Sequence, residues 1–154
     1  MTKNPQDDFD LGQFLPYILN QAAEATSRAF QPVYAEKYGM TRTQWRVIAN
    51  IGKFGAMTAK HICGVSHLEK TKVSRAIAVL EIEGLLRRET SSEDRRAEVL
   101  TLTAKGKKCF EHLGNEALNF DSKLKDELGP EATRELIKSL QKLVSLYAFE
   151  NLAQ

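Results

Sequence analysis

Between Leu85 and Thr103 the spacing of apolar residues changes. Upstream, hydrophobic side chains recur every three or four positions, whereas in LLRRETSSEDRRAEVLTLT they alternate on either side of the polar cluster SSED. Downstream of Thr103 the three-to-four spacing returns. Alternation around a polar turn is the pattern of a β-hairpin, and the flanking spacing is that of amphipathic helices. The chain is therefore expected to be mainly α with a small β-hairpin.

The helices can be bounded from the same pattern. Phe14, Leu15, Ile18, Leu19, Ala22, Ala29, Phe30 and Val33 predict a long first helix over residues 10–37, with Pro16 in its opening turn and Pro32 expected to kink or loosen it. Gly39 is a stop signal, and Thr41 or Thr43 can cap a second helix that buries Val47, Ile48 and Ile51. After the turn KFGAM, Thr58 caps a short helix with Ile62 and Val65 facing inward, and a tight connection near His67 follows. The next helix spans about residues 69–83, with Val73, Ile77, Leu80 and, at its end, Ile82 as the buried stripe, and Gly84 closes it as a left-handed cap. Past the hairpin, Thr103 caps a helix through Leu113, Ala117, Phe120, Leu124 and Leu128, which Gly129 and Pro130 break. A last helix carries Leu136, Ile137, Leu140, Leu143, Val144 and Tyr147, with Phe149 and Leu152 near its end. Three helices, a hairpin and long flanking helices make a winged helix-turn-helix framed at both ends. The terminal stripes call for a partner, and a second copy would supply a matching one.

At 154 residues the length fits one domain, read here as residues 1–154 with a winged helix over 40–108 and dimerisation helices over 10–38 and 109–151. Apolar runs as short as FLPYIL cannot span a bilayer, and the polar, acidic start MTKNPQDDFD lacks the features of a signal peptide, so a cytoplasmic protein is expected. Two cysteines, Cys63 and Cys109, are too few and too far apart for a disulfide framework or a structural metal site. His61, Cys63 and His67 lie close in sequence, but their spacing does not share one helical face, so no metal is expected. No nucleophile elbow, phosphate loop or ligand set for a metal appears, which argues against an enzyme and calls for no cofactor.

The formal net charge of +2 conceals a polarity. From Thr58 to Lys108, eleven Lys and Arg face seven Asp and Glu, whereas from Cys109 onward five face eight. The basic excess falls on the winged helix. On the helix of residues 69–83, the buried stripe leaves Lys70, Thr71, Lys72, Ser74 and Arg75 on exposed or flanking surface near its start, residue types that read base edges and phosphates in a major groove. At the hairpin tip Asp94, two residues before Arg96, is placed to hold that guanidinium for a narrow minor groove, and Arg95 is a second candidate. Arg87 and Arg88 on the first strand, with Lys105, Lys107 and Lys108 at the next helix start, suit phosphates. Lysines at a helix N-terminus oppose its dipole and call for an external anion. Double-stranded DNA is the expected partner; a winged-helix module that binds protein instead would not need these cations.

TRTQWRVIANIGKFGAMTAKHI, LEKTKVSRAIAVLEIEGLLRRE and EDRRAEVLTLTAKGKK together resemble the MarR family of winged-helix regulators over about residues 40–108, in order and spacing. The most specific pieces are VSRAIAVLEIEGLL, the Asp94-x-Arg96 element and LTLTAKGKK. The resemblance implies a homodimer through the terminal helices, a recognition helix over residues 69–83 in the major groove, a wing in the minor groove with Arg96 as its groove arginine, and control of nearby genes relieved by a small-molecule effector. The family's peroxide-sensing branch carries a cysteine near the start of the first helix, where this chain reads GQFLPYILN. A thiol-based redox sensor would have to use Cys63 or Cys109, and both sit in helices expected to be half buried, where a structural role fits better. For an effector, Tyr17, Asn20, Ser27 and Arg28 on the first helix and Trp45 and Arg46 on the second suit an aromatic carboxylate or a related thioester, although Trp45 equally suits the core.

Overall fold

A computed structural model describes residues 9–147. A 3₁₀ turn, Leu11–Gln13, is followed by α1 (Leu15–Tyr38), α2 (Arg42–Phe54), α3 (Ala59–Ser66), α4 (Lys70–Ile82), β1 (Leu86–Thr90), β2 (Glu98–Leu102), α5 (Ala104–Leu128) and α6 (Pro130–Tyr147). The chain divides into two compact units at Gly114/Asn115, within α5.

The first unit is the winged helix with α1. Val47, Ile48, Ile62, Val73, Leu80 and Leu113 are wholly buried, and Leu86, Leu100 and Leu102 bring the hairpin base onto this core. Thr41, not Thr43, caps α2: its Oγ1 accepts from the Gln44 N–H while Gln44 Oε1 accepts from the Thr41 N–H, a reciprocal capping box. Thr58 caps α3 one way only, its Oγ1 accepting from the His61 N–H. Gly39 and Gly84 take the left-handed conformations that end α1 and follow α4, at φ +60° and +73°. Thr103 joins three elements: its hydroxyl donates to the Gly84 carbonyl at 2.6 Å and accepts from the Gly106 N–H at 3.0 Å, so α5 starts where α4 stops. A Cβ at Gly106 would strike the Leu85 carbonyl oxygen, so only glycine permits this approach.

Pro32 lies inside α1, which is one continuous helix from Leu15 to Tyr38. The missing N–H leaves the Arg28 carbonyl on an exposed face, where water can serve it. Val65, expected inward, is 45% exposed, and Ile82 is 86% exposed. Both lie in the last turn of their helices, where the chain has begun to leave the core and spacing no longer reports facing.

β1 and β2 pair antiparallel with Leu86 opposite Leu102, Arg88 opposite Leu100 and Thr90 opposite Glu98. Met57 adds a bridge on the other side of β2, its N–H and carbonyl bonding Leu100 at 3.2 and 2.8 Å. This ties the α2–α3 connection to the hairpin. In the second unit, the remainder of α5 and α6 contain no buried residue; Leu118, Leu136, Ile137, Leu140, Val144 and Tyr147 are exposed. No described helix is long and apolar enough to cross a membrane.

Candidate nucleic-acid interface

α3 and α4 meet at His67, which at φ +50° turns the chain as the C-cap of α3. Its role is in the backbone, and among the described residues no group of three His, Cys, Asp or Glu could hold a metal ion. The turn presents α4 with Val73, Ala76, Ile77 and Leu80 in the core and Lys70, Thr71, Lys72, Ser74 and Arg75 exposed. Lys72 lies 3.6 Å from Glu69, a loose exposed pair worth little. Arg75 has no carboxylate within 4.0 Å among the described residues.

Beside these cations runs a small groove of about 240 Å³, lined by Thr41, Thr43, Lys72 and Arg75 among others. Its α2 side is formed by Thr41, Thr43 and Gln44 at the N-terminal end of that helix, whose dipole favours an anion. Thr43 was passed over in the sequence because Thr41 and Thr43 compete for one cap. Once Thr41 is committed to Gln44, Thr43 is left to line the same groove as Lys72 and Arg75.

The hairpin tip works differently from its sequence reading. Asp94 does not hold the Arg96 guanidinium; its Oδ1 accepts from the Arg96 backbone N–H at 2.9 Å, and its carbonyl accepts from the Ala97 N–H. Short acidic side chains bond the backbone two residues on more readily than a long flexible cation. Ser91 Oγ accepts from Glu93 and Asp94 N–H groups and braces the other side. Arg95 and Arg96 thus occupy the two central positions of a turn, both exposed and without an ion pair among the described residues.

The two strand arginines are not equivalent. Strand parity puts Arg88 on the face shared with Leu86, Leu100 and Leu102, next to α4, where Glu81 takes its Nε at 3.0 Å and Glu98 its Nη1 at 3.2 Å. Arg87, on the opposite face, bonds Glu89 at 2.6 Å and Thr101 Oγ1 at 3.3 Å. Lys105 does not await an outside anion either: its Nζ donates to the Glu83 carbonyl at the end of α4, 2.7 Å away, where the dipole of that helix is negative.

The residues considered for an effector do not converge. Tyr17 and Arg28 are separated by about 16 Å of α1 at the helical rise per residue. Arg28 bonds Glu24 at 2.8 Å, and Glu24 also grips Arg42 at the start of α2 through two bonds of 2.8 and 3.1 Å. Arg42 first and Arg28 second pull the Glu24 carboxyl down to a pKa of about 2. Trp45 packs against Phe30 and Tyr34, with ring centroids 5.7 and 6.4 Å away, and Arg46 lies half-buried beside it on α2. Asn20 is exposed and Ser27 half-buried on α1. Cys109 is buried, which raises its pKa, while Cys63 is half-buried; burial and a raised pKa both oppose thiolate chemistry. His112 packs edge-on against Tyr38 and lies 3.1 Å from Lys37 Nζ, a packing role.

Comparison with known proteins gives this geometry a relationship. A sequence model described as MarR family matches residues 38–97, which hold α2, α3, α4 and the hairpin tip. An HTH-type transcriptional regulator of Bacillus subtilis, YwoH, is 28% identical over 114 residues, covering 74% of this chain and 82% of that protein. The solved structure of a MarR/EmrR family regulator from Acinetobacter sp. ADP1 superposes with a TM-score of 0.81 at 23% identity, over 91% of this chain and 99% of the other. Bordetella bronchiseptica BpsR, whose structure addresses regulation of DNA binding by 6-hydroxynicotinic acid, has the same fold at a TM-score of 0.76 and 20% identity, over 88% and 96% of the two chains. With its hairpin wing and its α3–α4 pair, the segment 38–97 matches the MarR family, and the chain is similar to HTH-type transcriptional regulators over most of its length.

Proposed function

We propose that this regulator is a cytoplasmic homodimer that binds a pseudo-palindromic operator and represses until a small aromatic acid or thioester releases it. The observation that carries the DNA-binding part is the distribution of unpaired cations. Lys70 and Arg75 on α4, and Arg95 and Arg96 at the hairpin tip, are exposed and engage no carboxylate among the described residues, whereas the arginine beside the core, Arg88, is neutralised by two. In this reading Lys70, Thr71, Lys72, Ser74 and Arg75 enter the major groove, and Arg95 and Arg96, on the turn that Asp94 builds, enter the minor groove. Thr43 and the α2 N-terminus take a phosphate. Arg87 and Arg88 brace the wing and add to the positive potential at the backbone.

Dimerisation is supported by the apolar residues left exposed on α6 and, separately, around the start of α1, where Phe9, Phe14, Leu15 and Ile18 are exposed. Two recognition helices about one DNA turn apart, ~34 Å, would then define half-site spacing. Release follows if an effector prefers a dimer with different spacing, by its differential affinity for the two states. BpsR, on the same fold, offers a precedent for control by an aromatic acid. The test is fluorescence anisotropy on duplexes tiling the DNA upstream of the gene, over a salt series. A sequence-preferring affinity that falls steeply with salt is expected. Absence of duplex binding at low salt would remove the proposal.

A further inference from the structure

The hairpin is anchored at its base and loses its packing beyond it. Leu86, Leu100 and Leu102 reach the core, and Met57 bonds β2 at Leu100. From Arg87 to Val99 no residue is buried, so apolar packing stops short of the tip that carries Arg95 and Arg96. A two-stranded ribbon on its own is marginal in water. Polar contacts are what remain to set the direction of the outer half.

Among the described residues, Arg88 alone hydrogen-bonds that outer half to α4. Its Nε donates to both carboxylate oxygens of Glu81, in the last turn of α4, at 3.0 and 3.1 Å. Its Nη1 donates to Glu98 Oε2 at 3.2 Å. The strand register sets Arg88 opposite Leu100, with Glu98 diagonal to it on the same face. Glu98 opens β2 directly after Ala97, whose N–H donates to the Asp94 carbonyl and whose own carbonyl accepts from the Ser91 N–H, closing the tip. Glu81, Arg88 and Glu98 thus form a chain of contacts from the end of α4 to the foot of the tip.

This chain does not have the character of a phosphate contact. Arg88 is already bonded to two carboxylates, so a phosphate would have to displace one of them. Nor is it a large source of stability, since all three side chains keep 28–67% exposure and exposed ion pairs add little to folding. What it supplies is direction, because carboxylates on two different elements fix the guanidinium from both sides.

We propose that Arg88 is a positioning residue: through Glu81 and Glu98 it holds the hairpin tip at a set angle to α4, so that tip and helix can engage neighbouring grooves together. The consequence for DNA rests on the DNA-binding reading above, whereas the holding of the tip does not. A tip held in advance loses less freedom on binding. Charge and positioning then predict opposite signs at Glu81. Removing a carboxylate from a DNA-facing unit should raise affinity through charge alone, while loosening the tip should lower it.

The experiment uses the full chain with Glu81→Gln, Arg88→Met and Arg88→Lys, each checked for an unchanged melting transition. Arg88 is exposed, so the fold should tolerate its replacement. Nitrogen-15 relaxation of the free protein reads the order of the Arg95 and Arg96 amides, and anisotropy over a salt series reads an operator duplex and a scrambled one. Glu81→Gln and Arg88→Met should each lower amide order at the tip and leave α4 as it was. Both should weaken operator binding about fivefold, the scale of re-ordering one or two side chains, with the scrambled duplex and the salt slope unchanged. Arg88→Lys keeps a cation between the same carboxylates and should recover part of both losses. Unchanged tip order in Glu81→Gln and Arg88→Met overturns the proposal, whether or not any duplex binds. Tighter operator binding in Glu81→Gln overturns it in favour of charge, and a salt slope smaller by about 1 in Arg88→Met overturns it in favour of a phosphate contact. Loss of tip order in a protein whose wild type binds no duplex keeps the holding role and removes the DNA reading.

Discussion

The winged-helix unit and the C-terminal helices are both amphipathic, and only the first buries its apolar stripe within the chain. Val47, Ile48, Val73 and Leu80 have essentially no exposed surface, while Leu136, Ile137, Leu140 and Val144, at the same helical spacing, are 37–69% exposed. Periodicity is therefore a statement about one face of a helix and is silent on what covers it. The charge difference runs along the same division: the region with a closed core carries the basic excess, and the region with open faces is acidic. In our proposal, a molecule divided this way meets phosphate with one part and a copy of itself with the other.

The strongest way to break this comparison is to delete residues 131–154. If α6 is the missing half of an interface, sedimentation should show complete loss of dimer, and operator affinity should fall with it; a monodisperse dimer would place the interface elsewhere. Next in size is a pair of side-chain truncations. Ile77→Ala, in the closed core, should cost about 2–5 kcal/mol in chemical denaturation. Ile82→Ala, five residues on but 86% exposed, should stay within about 0.5 kcal/mol. Equal costs would mean that Ile82 is covered in solution.

Within the basic region, Arg96→Ala should weaken operator binding by about 1–3 kcal/mol and Lys107→Ala by less, since the first lies at the wing tip and the second lines a cleft at its base. Equal losses would undo the wing assignment. The smallest effect concerns the α1–α2 clamp. Glu24 has a depressed folded-state pKa, so its contribution is fully present above the ordinary carboxylate value and is lost as pH falls from 4.5 toward about 2. Glu24→Gln should flatten the pH dependence of stability in that window and change little at neutral pH.

Much of the fold was legible because its signals are local. The period change marked the hairpin, and Thr58, Gly39, Gly84, Thr103 and the Gly129–Pro130 pair stand at the helix ends where their backbone chemistry predicts. Misreadings cluster where a second element decides. Val65 and Ile82 continue the apolar rhythm, but each helix ends before it can bury them. Asp94 reads as a partner for an arginine side chain, whereas the backbone N–H of Arg96 is nearer and already in place. Lys105 reads as free until the end of α4 arrives at its Nζ.

The sequence by itself determined the elements, the inward stripe of the winged helix and the location of the basic excess, because all three depend on residues a few positions apart. Only the tertiary structure decided which cations remain unpaired. Arg87 and Arg88 are adjacent in the chain, yet strand parity sends one toward α4 and its carboxylate and the other to the rim of a cleft with Lys107 and Phe110. Ion pairing depends on distances between elements, and those are set by packing of the core rather than by neighbours in the chain.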